Sequence, residues 1–93
     1  MDISKAIARI PDHVRFSPEG KEAVILNLKS KKYLELDEIG TRMFQLLFEH
    51  GCVSKIIAPL RDEYGFTEDQ VREDLVDLLA ELQEKGLAEI SDQ

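Results

Sequence analysis

Few residues of this 93-residue chain have the types and spacing that chemistry needs. Cys52 is its one cysteine, so an internal disulfide, a CxxC redox pair and a zinc knuckle are all ruled out. His13 and His50 lie far apart, with no Cys or His at metal-ligand spacing beside either, and read as surface residues; no metal is expected. Glu73 and Asp74 are adjacent carboxylates of the kind general acid–base catalysis uses. They stand among other carboxylates, however, with no nucleophile or glycine-rich loop nearby, and a solvated acidic face accounts for them. No catalytic residue and no cofactor is therefore expected. What remains is binding chemistry: Lys29, Lys31 and Lys32 precede the alternating run Tyr33-Leu34-Glu35-Leu36. Lysines beside a sheet edge deter aggregation, and they also attract an acidic peptide.

The elements that must position these residues are short. With 43% hydrophobic and 33% charged residues the composition is globular, and a chain of this size buries only about 60 to 65% of its unfolded surface in one modest core. No apolar run approaches the roughly 18 residues of a membrane span. The charged N-terminus MDISKAIARIPD is unlike a secretory signal, so no membrane association and a cytoplasmic location are expected. Ile3, Ile7 and Ile10 suit a short helical turn or a loose arm that Pro11 stops. Val14 and Phe16 alternate with Arg15 before the turn residues Ser17-Pro18-Glu19-Gly20, while Ala23 to Leu28 and Lys32 to Leu36 form a hairpin. Asp37 caps a helix over 38–50 that Gly51 ends. Ser54 suits the cap of a second helix, kept short or bent by Pro59 and ended by Gly65. Thr67 and Gln70 make a capping box for a third, striped by Val71, Leu75, Leu78 and Leu82 up to Gly86. Leu87 to Ile90 suits a last strand or a tail.

Three strands followed by three helices predict an α+β winged helix-turn-helix with an N-terminal three-stranded antiparallel sheet over 13–90. Residues 1–12 form its arm or short helix and 91–93 its tail. In such a meander the strand Lys32 to Leu36 lies at a sheet edge, where its outward N–H and C=O groups invite another strand. The topology also raises an alternative, a DNA-binding transcriptional regulator. Charge argues against nucleic acid as a partner: residues 1–36 carry seven bases and five acids, but residues 37–93 carry five bases and fourteen acids. The segment from Thr67 to Gly86, where a recognition helix would lie, holds seven acids against Arg72 and Lys85.

Read in order, Ala23 to Leu28, KKYLELDEIGTRMFQLL and KIIAPLRDEYGFTEDQVREDLVDLLAELQEKGL resemble the PqqD-like family. The resemblance spans roughly residues 10 to 90. Its most specific parts are Tyr33-Leu34-Glu35-Leu36 running into Asp37, Gly40, and the Tyr64-Gly65-Phe66 turn, with Asp74 and the closing Leu82 to Leu87 in support. Asp37 stands where the family commonly has asparagine, and Pro59 interrupts the second helix. The resemblance implies a non-catalytic RiPP recognition element. Such a domain takes up the leader segment of a ribosomally made precursor peptide as an added β-strand and presents it to a modifying enzyme. That enzyme is a radical SAM enzyme in the pyrroloquinoline quinone branch, and a leader peptidase or a different enzyme in the lasso-peptide and other branches. The leader is then expected to pair with Lys32, Tyr33, Leu34, Glu35 and Leu36 and to rest on the third helix.

A helical wheel at about 100° per residue suggests which flank of that helix meets the leader. Val71, Leu75, Leu78 and Leu82 define the core stripe. Beyond Leu79 lie Arg72 and Val76, an apolar flank with one base, whereas Lys85, Asp74 and Glu81 occupy the opposite flank. The expectation is a groove lined by Val76 and Leu79, with Arg72 pairing a leader carboxylate.

Overall fold

The computed structural model describes residues 3–92; Met1, Asp2 and Gln93, the ends of the expected arm and tail, lie outside the described residues. A 3-10 turn at Ile3–Lys5 leads into β1 (Ala6–Arg9). Then come β2 (Val14–Glu19), β3 (Glu22–Asn27), β4 (Tyr33–Leu36), α1 (Glu38–His50), α2 (Ile57–Tyr64), α3 (Glu68–Glu84) and β5 (Glu89–Asp92). The fold is thus α+β with antiparallel sheets and three helices, as the sequence predicts. The single three-stranded sheet of a winged helix-turn-helix is a correction: among the described residues five strands form two sheets, β2-β3-β4 and β1-β5.

The extra sheet has a physical reason. Ala6 and Ala8 are fully or nearly buried while Arg9 is exposed, so β1 alternates, with inward positions too small to register as an apolar stripe. Ile3, Ile7 and Ile10 mimic helical spacing, but β5 supplies a strand partner from the far end of the chain, with Ala6 opposite Asp92 and Arg9 opposite Glu89. Arg9 and Glu89 also form a surface ion pair at 2.7 Å. The expected arm or short helix therefore gives way to a strand over residues 6–9, and Leu87 to Ile90 belongs partly to a real one.

The hairpins match the reading more closely, although β2 runs through Ser17 and Pro18 and turns only at Gly20. Pro18 is tolerated there because β2 is an outer strand with one neighbour. Asp37 caps α1 by accepting the Gly40 N–H at 2.8 Å, and Gly51, at φ 73°, closes it with an N–H to the Leu47 carbonyl. Ser54 caps nothing: it lies within a 3-10 turn, Val53–Lys55, and α2 starts at Ile57 without a side-chain cap. Pro59 falls in the first turn of α2, where its missing N–H would have no helical acceptor, so the helix continues past it to Tyr64, short as expected at eight residues. The Thr67–Gln70 capping box forms in both directions, at 3.2 and 3.0 Å.

The core lies between the sheets and the helices, with Ile25, Phe44, Leu47, Leu60, Leu75 and Leu82 among its fully buried side chains. Phe16 of β2 stacks on Phe44 of α1 with ring centroids 5.3 Å apart, which fastens the three-stranded sheet to the first helix.

Candidate peptide-binding edge

β4 pairs only with β3, with Ala23 opposite Leu36 and Leu26 opposite Tyr33, so its other edge has no strand partner among the described residues. The direction of its main-chain groups follows from one bond. The Asn27 N–H donates to the Lys32 carbonyl at 2.9 Å, which makes Asn27–Lys32 a hydrogen-bonded pair. Antiparallel ladders alternate, so Ile25–Leu34 and Ala23–Leu36 are hydrogen-bonded too. Tyr33 and Glu35 are left with N–H and C=O groups pointing away from β3. Each net hydrogen bond contributes about 0.5 to 1.5 kcal/mol, so the four groups offer an incoming strand roughly 2 to 6 kcal/mol before the cost of docking.

Beside this edge the chain leaves two clefts. The first, of about 420 Å³, has an apolar floor of Leu34, Leu36, Ile39, Met43 and Leu78. Its charged groups are all acids: Glu35, Asp37, Asp74, Asp77 and Glu81. The second, of about 700 Å³, continues along β4 past Tyr33 and mixes Lys31, Lys32 and Lys85 with Glu35, Glu81 and Glu84. Both clefts are closed on the far side by α3, so β4 and α3 face each other across open space.

The width of that space is set by a residue the sequence reading passes over. Asn27 is 5% exposed at the end of β3, and its side chain is satisfied on every side. Its Nδ2 donates to the carbonyls of Lys85 and Gly86 at 3.1 and 3.2 Å, and its Oδ1 accepts from the N–H groups of Lys29 and Ser30 at 2.9 and 3.2 Å. One side chain thereby ties the β3–β4 turn to the C-terminus of α3. Gly86 makes this possible: its φ is 68°, and a Cβ there would stand 2.8 Å from the Asn27 Nδ2. A polar residue inside the apolar run AVILNL is the signal that marks Asn27 in the sequence.

The predicted site residues divide. Lys32, Tyr33, Leu34, Glu35 and Leu36 lie together on the edge: Leu36 is buried, Leu34 half-buried, and Tyr33 exposed at 57% rather than packed against a helix. Arg72, Val76 and Leu79 are not brought to it and line neither cleft. Leu79 is buried in the core, Val76 is 51% exposed, and Arg72 stands 3.9 Å from Glu68 one turn back. Among the described residues, α3 instead turns toward β4 the flank of Asp74, Asp77, Leu78 and Glu81. Val76→Glu is accordingly expected to leave peptide affinity unchanged and the melting temperature within about 2 °C of wild type, the behaviour of an exposed site away from special features. Thermal melting with a titration on the same sample checks both.

The remaining candidates for chemistry do not converge. Cys52 is half-buried with its Sγ 2.9 Å from the Ser54 hydroxyl, a contact that lowers the thiol pKa from its ordinary value, and it lines neither cleft. His13 is half-buried and gives its carbonyl to the Leu28 N–H, whereas His50 is exposed at the end of α1. No group of three His, Cys, Asp or Glu side chains could hold a metal ion among the described residues. None of the described helices is long and apolar enough to cross a membrane.

An α+β domain in which an unpaired strand edge, that of β4, faces a helix across open clefts is the class of protein this geometry defines. Residues 22–88 match the family model of coenzyme PQQ synthesis protein D (PqqD), and the chain belongs to that family. No curated protein matches it by sequence. Among solved structures it is similar to TbiB1 in complex with the TbiA(beta) leader peptide, at 33% identity and a TM-score of 0.81, over 87% of this chain and 94% of that one. It is also similar in fold to lasso peptide synthetase B1 complexed with the leader peptide, at 21% identity and a TM-score of 0.77, over 88% of this chain and 96% of that one.

Proposed function

We propose that the protein binds the leader segment of a ribosomally made precursor peptide as an extra strand on β4 and presents it to a modifying enzyme, without catalysing a reaction itself. The observation that carries this is the unpaired β4 edge above an apolar-floored cleft. The chain that bears it is 33% identical to a protein solved with a leader peptide. In strand addition, main-chain hydrogen bonds give affinity and the side-chain pockets beside the edge give specificity. The β4 edge offers both parts: the outward groups of Tyr33 and Glu35, and the clefts against α3.

The enzyme served is the one that modifies or trims the same precursor, a leader peptidase in a lasso-type pathway or a radical SAM enzyme in a pyrroloquinoline quinone pathway. Ribosomal origin of the precursor fits work in the cytoplasm. DNA binding fits the surface poorly, because α3 runs from Glu68 to Glu84 with seven carboxylates and Arg72 as its one base. Calorimetric titration with the leader of the precursor encoded beside this gene is expected to show saturable one-to-one binding, and a gel shift with DNA at low salt to show none. The reverse pattern would overturn the proposal.

A further inference from the structure

Strand addition by itself reads little sequence and fixes register weakly, since a slip of one residue turns every side chain to the other face while the main-chain bonds simply re-form. Something beside the β4 edge has to make one register better than the rest. Residues of an added strand that lie opposite Leu34 and Leu36 share their face and point toward α3. At the Leu36 end they meet the first cleft, whose charged groups are carboxylates only. At the Lys32 end, roughly 13 Å away for four residues of strand, they meet the second cleft, where Lys31, Lys32 and Lys85 balance Glu35, Glu81 and Glu84.

The carboxylates on α3 are not used internally. Asp74, Asp77 and Glu81 follow one another at i, i+3 and i+7, and among the described residues none has an ion pair. Like charges one helical turn apart destabilise a helix, so this flank carries a repulsion that an incoming cation would relieve. An apolar floor directly beneath suits the methylene stem of a long basic side chain, which keeps its charged head at the rim.

Resting on the strand-addition reading above, we propose that the bound segment carries a lysine or arginine opposite Leu36, seated among Asp74, Asp77 and Glu81, and that this residue sets its register on β4. A slip of four positions moves that cation from a cleft whose charged groups are all carboxylates to one in which three lysines balance three glutamates, so the charge gradient along the edge separates registers that the main chain leaves nearly equal.

The test is a selection of random 12-residue peptides on the immobilised 93-residue chain, with the selected peptides then measured on wild type, Glu35→Pro and the double variant Asp74→Lys/Asp77→Lys. Peptides that lose binding on Glu35→Pro are expected to share a Lys or Arg at one fixed position. Their affinity should fall about tenfold on the double variant and return when that basic residue is changed to Glu. Both altered aspartates are exposed, and circular dichroism establishes that the double variant is folded. Edge-dependent peptides without a shared basic residue, or with equal affinity for the double variant, would overturn the inference while leaving strand addition standing. Peptides indifferent to Glu35→Pro, or no binders at all, would overturn strand addition itself.

Discussion

Glu35→Pro is expected to abolish uptake of an extended peptide while the domain stays folded. Proline deletes one N–H and fixes φ near −65°, which an edge strand tolerates wherever that N–H makes no bond to its neighbour. Glu35 sits opposite Val24 in a pair that is not hydrogen-bonded, so its N–H points away from β3 and its loss costs the fold little. The incoming strand, in contrast, loses a donor near the middle of the edge and meets a pyrrolidine ring in its place, so affinity should fall beyond a hundredfold. Leu34→Pro is the control with the opposite signature. Its N–H belongs to the hydrogen-bonded pair with Ile25 and its side chain packs on the core, so that variant should melt far below wild type. Paired titration and thermal melting of the two variants distinguish the assigned phase from its alternative. If Leu34→Pro is the one that folds and fails to bind, the phase is reversed.

Asn27→Ala should produce the largest loss of stability for the removal of a polar side chain. It strands the carbonyls of Lys85 and Gly86 and the N–H groups of Lys29 and Ser30 around a site that is 5% exposed in the wild type. Buried groups left without partners cost about 1 to 3 kcal/mol. A loss of about 2 to 3 kcal/mol corresponds to a drop of roughly 10 to 20 °C in a domain of this size. Asn27→Asp separates the two halves of the network: it keeps an acceptor for the turn but faces two carbonyls with a carboxylate, so it should be no more stable than Asn27→Ala. Equal melting of wild type and Asn27→Ala would show that the β3–β4 turn and α3 are held together by something else. Affinity measured well below both melting points should also be weaker in the variant, because Asn27 fixes the distance across the second cleft.

How much of this was legible beforehand depends on how local each signal is. The β3–β4 hairpin, α1 and α3 announce themselves through period-two and period-3.6 patterns and through caps within four residues, and the open edge at Lys32 to Leu36 followed from strand order alone. β1 was hidden because its inward residues are Ala6 and Ala8 and its partner lies more than eighty residues away at Ser91 and Asp92. The flank of α3 that borders the clefts is hard to read from sequence for a related reason. A wheel centred on Val71 shows two shoulders to the stripe, and nothing local says which shoulder faces β4. In the fold the Leu79 shoulder is taken up by the core, and the clefts fall to Asp74, Asp77, Leu78 and Glu81. A second apolar flank is not needed to floor the first cleft, because Leu78, Ile39 and Met43 from two helices already supply apolar lining there.

Hydrogen exchange at single amides tests the central claim most directly, since it reads the β4 edge itself. The N–H groups of Tyr33 and Glu35 should exchange freely in the protein alone and become protected when the leader peptide is added, while those of Leu34 and Leu36, already bonded to β3, should be protected in both states. Identical exchange at Tyr33 and Glu35 with and without saturating leader would contradict strand addition on β4.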